Sequence, residues 1–425
     1  MAELVDAVDS KSTIPGMWEF ESPRGHHRKV VMSSSEIIKT EVLIIGGGLV
    51  GGLLGVRLKQ QKIPFVLIDP ASPQSMIDAV KDGRTTAISL GSKRIFEKTG
   101  IWDMYLKYHA EPINNIRVLE KGSVWSVDFD HKELSSDPMG YIAENMYFRM
   151  SILDCLQDDP NCFYNTSLLD IQKNDSNITA VLSNGKTVHA KLLVSAEGRK
   201  SPTRDLMAPQ MKTRDYAQNA LVVHLEHEEP HHNHAWEIFT SKGPFAILPL
   251  KHDAGKKSGI VWCKPATYNW ENQTNDNLQA EIEEIFPYYG KVKIVSKRWH
   301  FPLSTFELNT ISGHRQVLIG DAAHAMHPIA GQGVNLGWRD ADVLATKIIE
   351  NYKVGLDVGS EVLCKAYERE RMRDIKPLVK ATDLMTQLFS NDSKTLSIIR
   401  NAGFAVVNRV PPLKRFFMKK AMGLS

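Results

Sequence analysis

The sequence predicts an α/β protein: a discontinuous Rossmann-like dinucleotide-binding domain, an inserted antiparallel β-sheet domain, and C-terminal helices. Three observations predict it. A strand, a glycine-rich turn, a helix, a second strand and an acid follow one another between Glu41 and Asp69. A further acid and glycine-rich helix start lie far downstream, between Val317 and Asp342. Between the two, from Ala217 to Glu307, the pattern changes to short alternating segments bounded by turn residues.

A chain of 425 residues, 42% hydrophobic and 24% charged, is ordinary for a globular protein with two or three cores. The net charge of +3 is too small to argue for a nucleic-acid partner. Cys155, Cys162, Cys263 and Cys364 form no C-x-x-C pair, so neither a zinc ribbon nor a disulfide framework is indicated and a reducing cytoplasm is expected. No run approaches the ~20 apolar residues of a spanning helix, and the N-terminal stretch lacks the apolar core of a signal peptide.

Residues 1–39 read as an unstructured extension, because their scattered charges, prolines and His26-His27 follow no period. Trp18 to Pro23 could be translated from a stretch like the T-arm of a transfer-RNA gene, so Met32 is expected to be the true start and the part before it a gene-calling artefact. Peptides from that part in the native protein would overturn this.

In the first element, Glu41 to Ile45 is a short buried strand that runs into Gly46-Gly47-Gly48-Leu49-Val50-Gly51. Gly46 permits the tight turn, Gly48 the close approach of a pyrophosphate to the helix N-terminus, and Gly51 close packing of helix on strand. The second strand, Pro64 to Ile68, ends at Asp69, placed to accept from adenosine ribose hydroxyls. The fingerprint alone leaves FAD and NAD open. No second G-x-G-x-x-G follows a strand, so no separate nicotinamide domain is expected.

In the downstream element, Val317 to Ile319 is a buried strand, and Gly320-Asp321 ends it where an open α/β sheet has its ligand crevice. Asp321 can accept from sugar-like hydroxyls. Gly331-Gln332-Gly333 lets backbone N–H groups approach a ligand, and a helix from about Val334 aims its positive end at the same place. A strand and a helix N-terminus without any ligand is the alternative.

With Gly320-Asp321, Ala323-His324, Pro328, Gly331, Gly333 and Asn335 in register, this segment resembles the second flavin motif of the group A aromatic hydroxylases, the flavoproteins built like p-hydroxybenzoate hydroxylase. The resemblance implies FAD as cofactor, with NAD(P)H binding transiently over the FAD domain. Asp82-Gly83-Arg84 with Ala87 looks like the loop whose arginine approaches the pyrophosphate, and Arg149 is a second candidate; a surface ion pair is the alternative for either arginine. Leu193 to Arg204 resembles the motif that serves both FAD and NAD(P)H, with Glu197 in place of the usual aspartate before Gly198. The extra methylene carries over the position but not the hydrogen-bond geometry.

The segments ALVVHLEH, AWEIFT, PFAILPL and SGIVWCKP describe an antiparallel sheet with one covered face, interrupted by a helix-like Asn275 to Ile285. This gives a substrate domain at 206–307, set between FAD-domain segments 40–205 and 308–350, and a helical region at 351–425 with helices from Ser360 to Phe389 and Ser393 to Asn408. His231-His232-Asn233-His234 reads as a solvated loop, and no metal is assigned.

Hydroxylation of a phenol needs no protein nucleophile. The resemblance implies that reduced flavin adds dioxygen to give a hydroperoxide, which the electron-rich ring attacks, while the protein supplies orientation, dryness and electrostatics. His324 is weighed as a base against a loop-orienting role. Pro328 and Ile329-Ala330 are expected to wall the ring, with Phe245 to Pro249 facing them; ordinary core packing is the alternative.

GYIAEN (Gly140 to Asn145), PFAILPL, the GDAAHAMHPIAGQGVNLG run, Tyr367-Glu368-Arg369 and Leu388 to Asp392 together resemble the ubiquinone-biosynthesis hydroxylases over nearly all of 40–425. That branch implies a polyprenylated phenol as substrate, as in 2-polyprenylphenol or 2-polyprenyl-6-methoxyphenol hydroxylation, with dioxygen and NAD(P)H consumed. An isoprenoid reductase and a non-catalytic flavoprotein subunit of a quinone-synthesis complex are the alternatives. The W-x-W-x-I-P run of the halogenases is absent. VPPLKRFFMKKAMGLS mixes cations and aromatics in a way that suits the inner face of an anionic membrane, against an equal alternative of a helix packed on the protein with its lysines in water.

Overall fold

The computed structural model describes residues 36–78, 83–389 and 394–424. The expected artefact at the N-terminus, Asp82, and Ser390 to Asp392 of the quinone-branch run lie outside these residues.

Ile37–Ile45 is an interior strand of an eight-stranded sheet, and its last four residues are buried. It pairs in parallel with Phe65–Ile68 on one side and Thr187–Ser195 on the other. Gln316–Leu318 then pairs in parallel with Leu193 to Ser195, so the downstream motif leaves the same sheet as the first. A parallel sheet covered on both faces explains the continuous apolar runs of these strands. The strand begins earlier than expected: Ile37 to Lys39, assigned to the unstructured extension, pair with Thr187 to His189. Ile37 and Lys39 are exposed, so this end carries no apolar signal.

The second sheet contains Met211–His227, His234–Thr240, Gly243–Pro249, Lys257–Pro265 and Trp299–Leu308, all from the expected substrate domain. It also recruits Asn115–Glu120, parallel to His234–Thr240, and Ser126–Asp130 beside it. The boundary at 206 therefore leaves out two strands that come from the segment assigned to the FAD domain.

Both faces of this sheet are covered, a correction to the single covered face expected from its alternation. On one face Trp236, Ile238, Phe245, Ile247 and Trp262 pack on Leu278 and Ile282 of the Asn275–Ile285 helix. On the other, Ala235 and Leu248 cluster with Ile142 and Ala87, and Phe239 clusters with Ile329. The cover on the second face comes from the segments around Ala87, Ile142 and Ile329.

Three helices, Glu361–Phe389, Lys394–Arg409 and Pro411–Ala421, follow the long Gly333–Lys353 helix. The Tyr367 hydroxyl donates to the Leu318 carbonyl at 2.9 Å, which ties the first of them to the sheet. His231 departs from the solvated-loop expectation: it is buried, with Nε2 at 3.2 Å from the Leu250 carbonyl oxygen. Its ring holds the turn together from inside. Among the described residues no group of three His, Cys, Asp or Glu side chains is placed to hold a metal ion, and no helix is long and apolar enough to cross a membrane.

Candidate functional site

The first glycine turn is built from two close approaches and one opening. Gly46 has φ of 102°, and a Cβ there would lie 2.4 Å from the Ala196 carbonyl oxygen. At Gly51 a Cβ would lie 2.0 Å from the Gly46 carbonyl oxygen. At Gly48 it would meet nothing within 4 Å, and no side chain caps the Gly51–Gln60 helix. Backbone donors at an uncapped helix start beneath open space suit an anionic group.

Asp69 follows the second strand and faces the turn. Its Oδ2 accepts from the Gly47 N–H at 2.7 Å and its Oδ1 from the Ala71 N–H at 2.8 Å, so it braces the turn. Burial pushes its carboxyl up, against the pull of those two N–H groups and of the Arg149 charge. Each oxygen keeps a lone pair for a hydroxyl. Arg149 stands on the Asn145–Leu156 helix and donates from Nη1 to the Met76 carbonyl at 2.9 Å. Arg84 is exposed, with its guanidinium 5.2 Å from the centre of the Phe301 ring on the second sheet.

The downstream motif docks directly on this turn. Gly320 has φ of 61°, and a Cβ on it would lie 3.1 Å from Val50 Cγ2; at Gly337 the same atom would be 2.7 Å away. Trp338 Nε1 donates to the Leu49 carbonyl at 3.2 Å. Asp321, exposed on the short Gly320–Ala322 turn, therefore stands beside the first glycine loop. Gly331, at φ of 59°, places its Cα side against Ala87, whose Cβ would be 3.2 Å from an added Cβ. Gly333 begins the helix, one residue before the expected start.

Two residues expected at this site do other work. The Asn335 side chain accepts from the Ser89 N–H at 2.9 Å and the Ser92 hydroxyl at 2.8 Å, and donates to the Ala87 and Gly331 carbonyls at 2.6 and 3.0 Å. An amide offers two donors and two lone pairs, so all of its capacity is used and it positions the Gly331 turn instead of touching a ligand. His324 is 1% exposed, with Nε2 2.6 Å from Asp340 Oδ2. A ring so enclosed orients the loop and is not placed as the base.

Asp340 was missed as a functional residue, and the loop depends on it. Its Oδ2 also accepts from the Gly320 N–H at 2.9 Å, and its Oδ1 accepts from Arg371 Nε at 2.7 Å. Arg371 in turn reaches Asp374, which also pairs with Arg339. Burial opposes ionisation of Asp340, but His324 and Arg371 outweigh it and hold the carboxyl below the usual carboxylate range. The signal was present in the sequence: Asp340 falls on the stripe of Leu336, Gly337, Ala341 and Leu344, where a charge is unexpected without a partner.

Glu197 turns back into the protein. Its Oε2 accepts from the Ser195 hydroxyl at 3.1 Å, the Ser201 hydroxyl at 2.6 Å and the Thr203 N–H at 3.2 Å, and also from the Thr203 hydroxyl. The next residue, Gly198, has φ of 79° and open space where a Cβ would stand.

On the wall, Pro328 is exposed and its carbonyl accepts from the Gly331 N–H at 2.8 Å, while Ile329 packs with Phe239 from the sheet. Ala330 contributes backbone to the Ile329–Gly331 turn, and its side chain lies outside the described set. Phe245 and Ile247 do not face this wall: they pack on the Asn275–Ile285 helix, and Leu248 of the same strand turns to Ala87 instead. Period-2 alternation divides Phe245 to Pro249 between the two faces. Openings at Gly48 and Gly198, with Asp321 exposed beside the glycine turn, fit a dinucleotide flavin laid across the ends of the strands.

The FAD binding domain family matches residues 39–382. Ubiquinone hydroxylase UbiL of Rhodospirillum rubrum is 38% identical over 90% of this chain and 89% of its own length. The 3-demethoxyubiquinol 3-hydroxylase of Escherichia coli is 31% identical over 91% of this chain and 99% of its own. Among solved structures, p-nitrophenol 4-monooxygenase PnpA from Pseudomonas putida DLL-E4 superposes with a TM-score of 0.76 at 17% identity, covering 91% of this chain and 98% of that one, a likeness of fold.

Proposed function

The chain belongs to the FAD-dependent hydroxylases of ubiquinone biosynthesis, and from that membership we propose how its own residues serve the reaction. The protein is an FAD-dependent aromatic-ring monooxygenase acting on a ubiquinone precursor with dioxygen and reduced pyridine nucleotide. The finer substrate is a polyprenylated phenol. The contact of Val50 with Gly320 and Gly337 supports the residue assignments, because Gly48 and Asp321 are each close in sequence to that contact.

When bound, FAD would supply the redox chemistry that links NAD(P)H to dioxygen, the source of the oxygen atom added to the ring. The N–H groups around Gly48 hold the pyrophosphate, with Arg84 and Arg149 as its cations, and Asp69 takes the adenosine ribose. Asp321 accepts from the ribityl hydroxyls. Gly331 and Gly333 let N–H groups face the electron-rich edge of the flavin, and the Glu197-Gly198 turn serves FAD and the incoming nicotinamide. Pro328, Ile329 and Phe239 keep water from the ring.

Purified protein is expected to be yellow, to oxidise NAD(P)H faster with a prenylated phenol, and to incorporate one labelled oxygen atom into that ring. Stimulated oxidation without incorporation points instead to an isoprenoid reductase. A yellow protein without stimulated turnover points to a non-catalytic subunit of a quinone-synthesis complex.

The site of action is the cytoplasmic face of the membrane. The Pro411–Ala421 helix buries Met418 against Leu90 and Met139, and presents Phe416 and Phe417 outward at 53% and 43% exposure. Arg415, Lys419 and Lys420 are exposed on the same helix, and each cation near an anionic surface adds about 1 kcal/mol. A lipid-tailed substrate, and any partner enzymes of a quinone-making complex, would be met there. Anionic vesicles are expected to sediment the protein, and Phe416→Ser with Phe417→Ser and Lys419→Glu is expected to leave it in the supernatant. Equal sedimentation of the two would sink the idea.

A further inference from the structure

Glu237 stands in the middle of the His234–Thr240 strand. Its neighbours Trp236 and Ile238 turn to the core built on the Asn275–Ile285 helix. Strand alternation therefore puts Glu237 on the opposite face, with Ala235 and Phe239. Ala235 clusters with Ile142 and Ala87, and Phe239 with Ile329. Ala87 and Ile329 belong to the two segments that meet at Gly331. Glu237 thus stands on the face of the sheet that packs on the Ala87 and Ile329 segments. Its register partner on the next strand is Ala246, a small side chain without a polar group.

Glu237 is half-buried, and Ala235 and Phe239 on its own face are buried. No hydrogen bond or ion pair engages it among the described residues. Arg84 lies on this side, with its guanidinium over the Phe301 ring, and the groups that follow are committed or uncharged. Burial and the Glu237 charge push the Cys263 thiol up, so it stays protonated. Lys257 pairs with Glu144, Arg400 with Glu120, and Arg214 with Asp383. His224 binds the Gly83 carbonyl oxygen, and burial lowers His327 to about 4, leaving it neutral. The Tyr216 hydroxyl donates to Asp383 at 3.0 Å. An unpaired carboxylate in such a place is expensive to keep, which marks it as functional.

We propose that Glu237 is the catalytic base that takes the phenolic proton of the substrate. The inference rests on the aromatic-hydroxylase reading above. As a ring carbon bonds to the oxygen atom delivered by reduced flavin and dioxygen, the phenol O–H breaks. Its proton goes to the Glu237 carboxylate and its electron pair becomes the new C=O of a dienone. When the ring regains aromaticity, the proton on the hydroxylated carbon leaves to water and Glu237 returns its own to the ring oxygen. The net change is one ring C–H to C–OH, with the second oxygen atom of dioxygen leaving as water. A base is most useful when it ionises near the working pH, and burial pushes the Glu237 carboxyl up to about 7.

The test uses the full-length, FAD-loaded enzyme with a short-chain prenylated phenol, following labelled oxygen in the product on both sides of pH 7. Wild-type kcat is expected to rise through an inflection near 7, since the base acts deprotonated. Glu237→Gln is expected to lower kcat on the order of 10²-fold, abolish the inflection and leave KM little changed, while NAD(P)H is still oxidised and peroxide released. Glu237→Asp is expected to restore part of the rate together with the inflection. Wild-type kcat and pH profile in Glu237→Gln would overturn the proposal, as would a change in KM alone. A Gln variant that binds no flavin passes the decision to the Asp variant: an unshifted, full-rate profile there also overturns it. Wild-type enzyme that yields no labelled product defeats the aromatic-hydroxylase reading itself.

Discussion

Asp340→Ala is expected to lower stability by about 3–5 kcal/mol and to weaken flavin binding with it. The carboxylate is fully buried and joins three parts of the chain: the Gly320 N–H at the strand end, His324 in the loop, and Arg371 from the following helix. Removing it leaves Arg371 Nε, in a side chain 4% exposed, without its acceptor and Asp374 as its one remaining carboxylate partner, and leaves the Gly320 N–H without its acceptor. Losing one member of a buried ionic set costs far more than the set contributes, because the desolvated partner remains. Asp340→Leu combined with Arg371→Met is therefore expected to recover part of the loss. The pH dependence has a definite sign. A carboxyl held below its unfolded value contributes stability above that value and loses it as pH falls through the folded one, so the gap between wild type and Asp340→Ala should narrow in acid. Urea unfolding with flavin-fluorescence titration measures both effects. A variant with the wild-type midpoint would mean that the network is incidental.

The parts of this site legible in the sequence were those whose signal is local. Gly46 to Gly51 and Asp69 fall within one βαβ unit, and the steric demand at each glycine is set by the turn itself. The strand Val317 to Ile319 announced itself by composition, and its place in the sheet followed from the resemblance. What stayed hidden was set by distant partners. The Asn115–Glu120 strand lies parallel to His234–Thr240, far along the chain, and nothing within its own residues names that neighbour. Asn335 occupies a ligand-like position in the motif, yet Ser89 and Ser92 take its oxygen and the Ala87 and Gly331 carbonyls its nitrogen. Glu237 reads in sequence as one polar residue in an alternating strand, exposed by default. Only the cover on the second face of the sheet turns it inward, and that cover comes from Ile329 and Ala87.

Gly48→Val and Gly51→Ala should separate cofactor binding from folding, although the glycines are neighbours in one motif. At Gly48 an added Cβ meets no protein atom within 4 Å and the backbone is not left-handed, so the flavin-free protein should unfold within about 0.5 kcal/mol of wild type. The same branched side chain would occupy the space above the helix start, where the pyrophosphate must come close. FAD affinity should fall on the order of 10²-fold, or about 3 kcal/mol. At Gly51 the added carbon lies 2.0 Å from the Gly46 carbonyl oxygen and 2.8 Å from Ala196 Cβ, and a backbone atom cannot swing aside as a side chain can. The turn itself must move, a strain of about 1–3 kcal/mol, so Gly51→Ala should lose stability and flavin together. Thermal unfolding of the flavin-free proteins, followed by FAD titration of each, distinguishes the two. If Gly48→Val bound FAD as wild type does, the pyrophosphate could not lie over this turn, and the role of the Gly51–Gln60 helix start as its anchor would have to be given up.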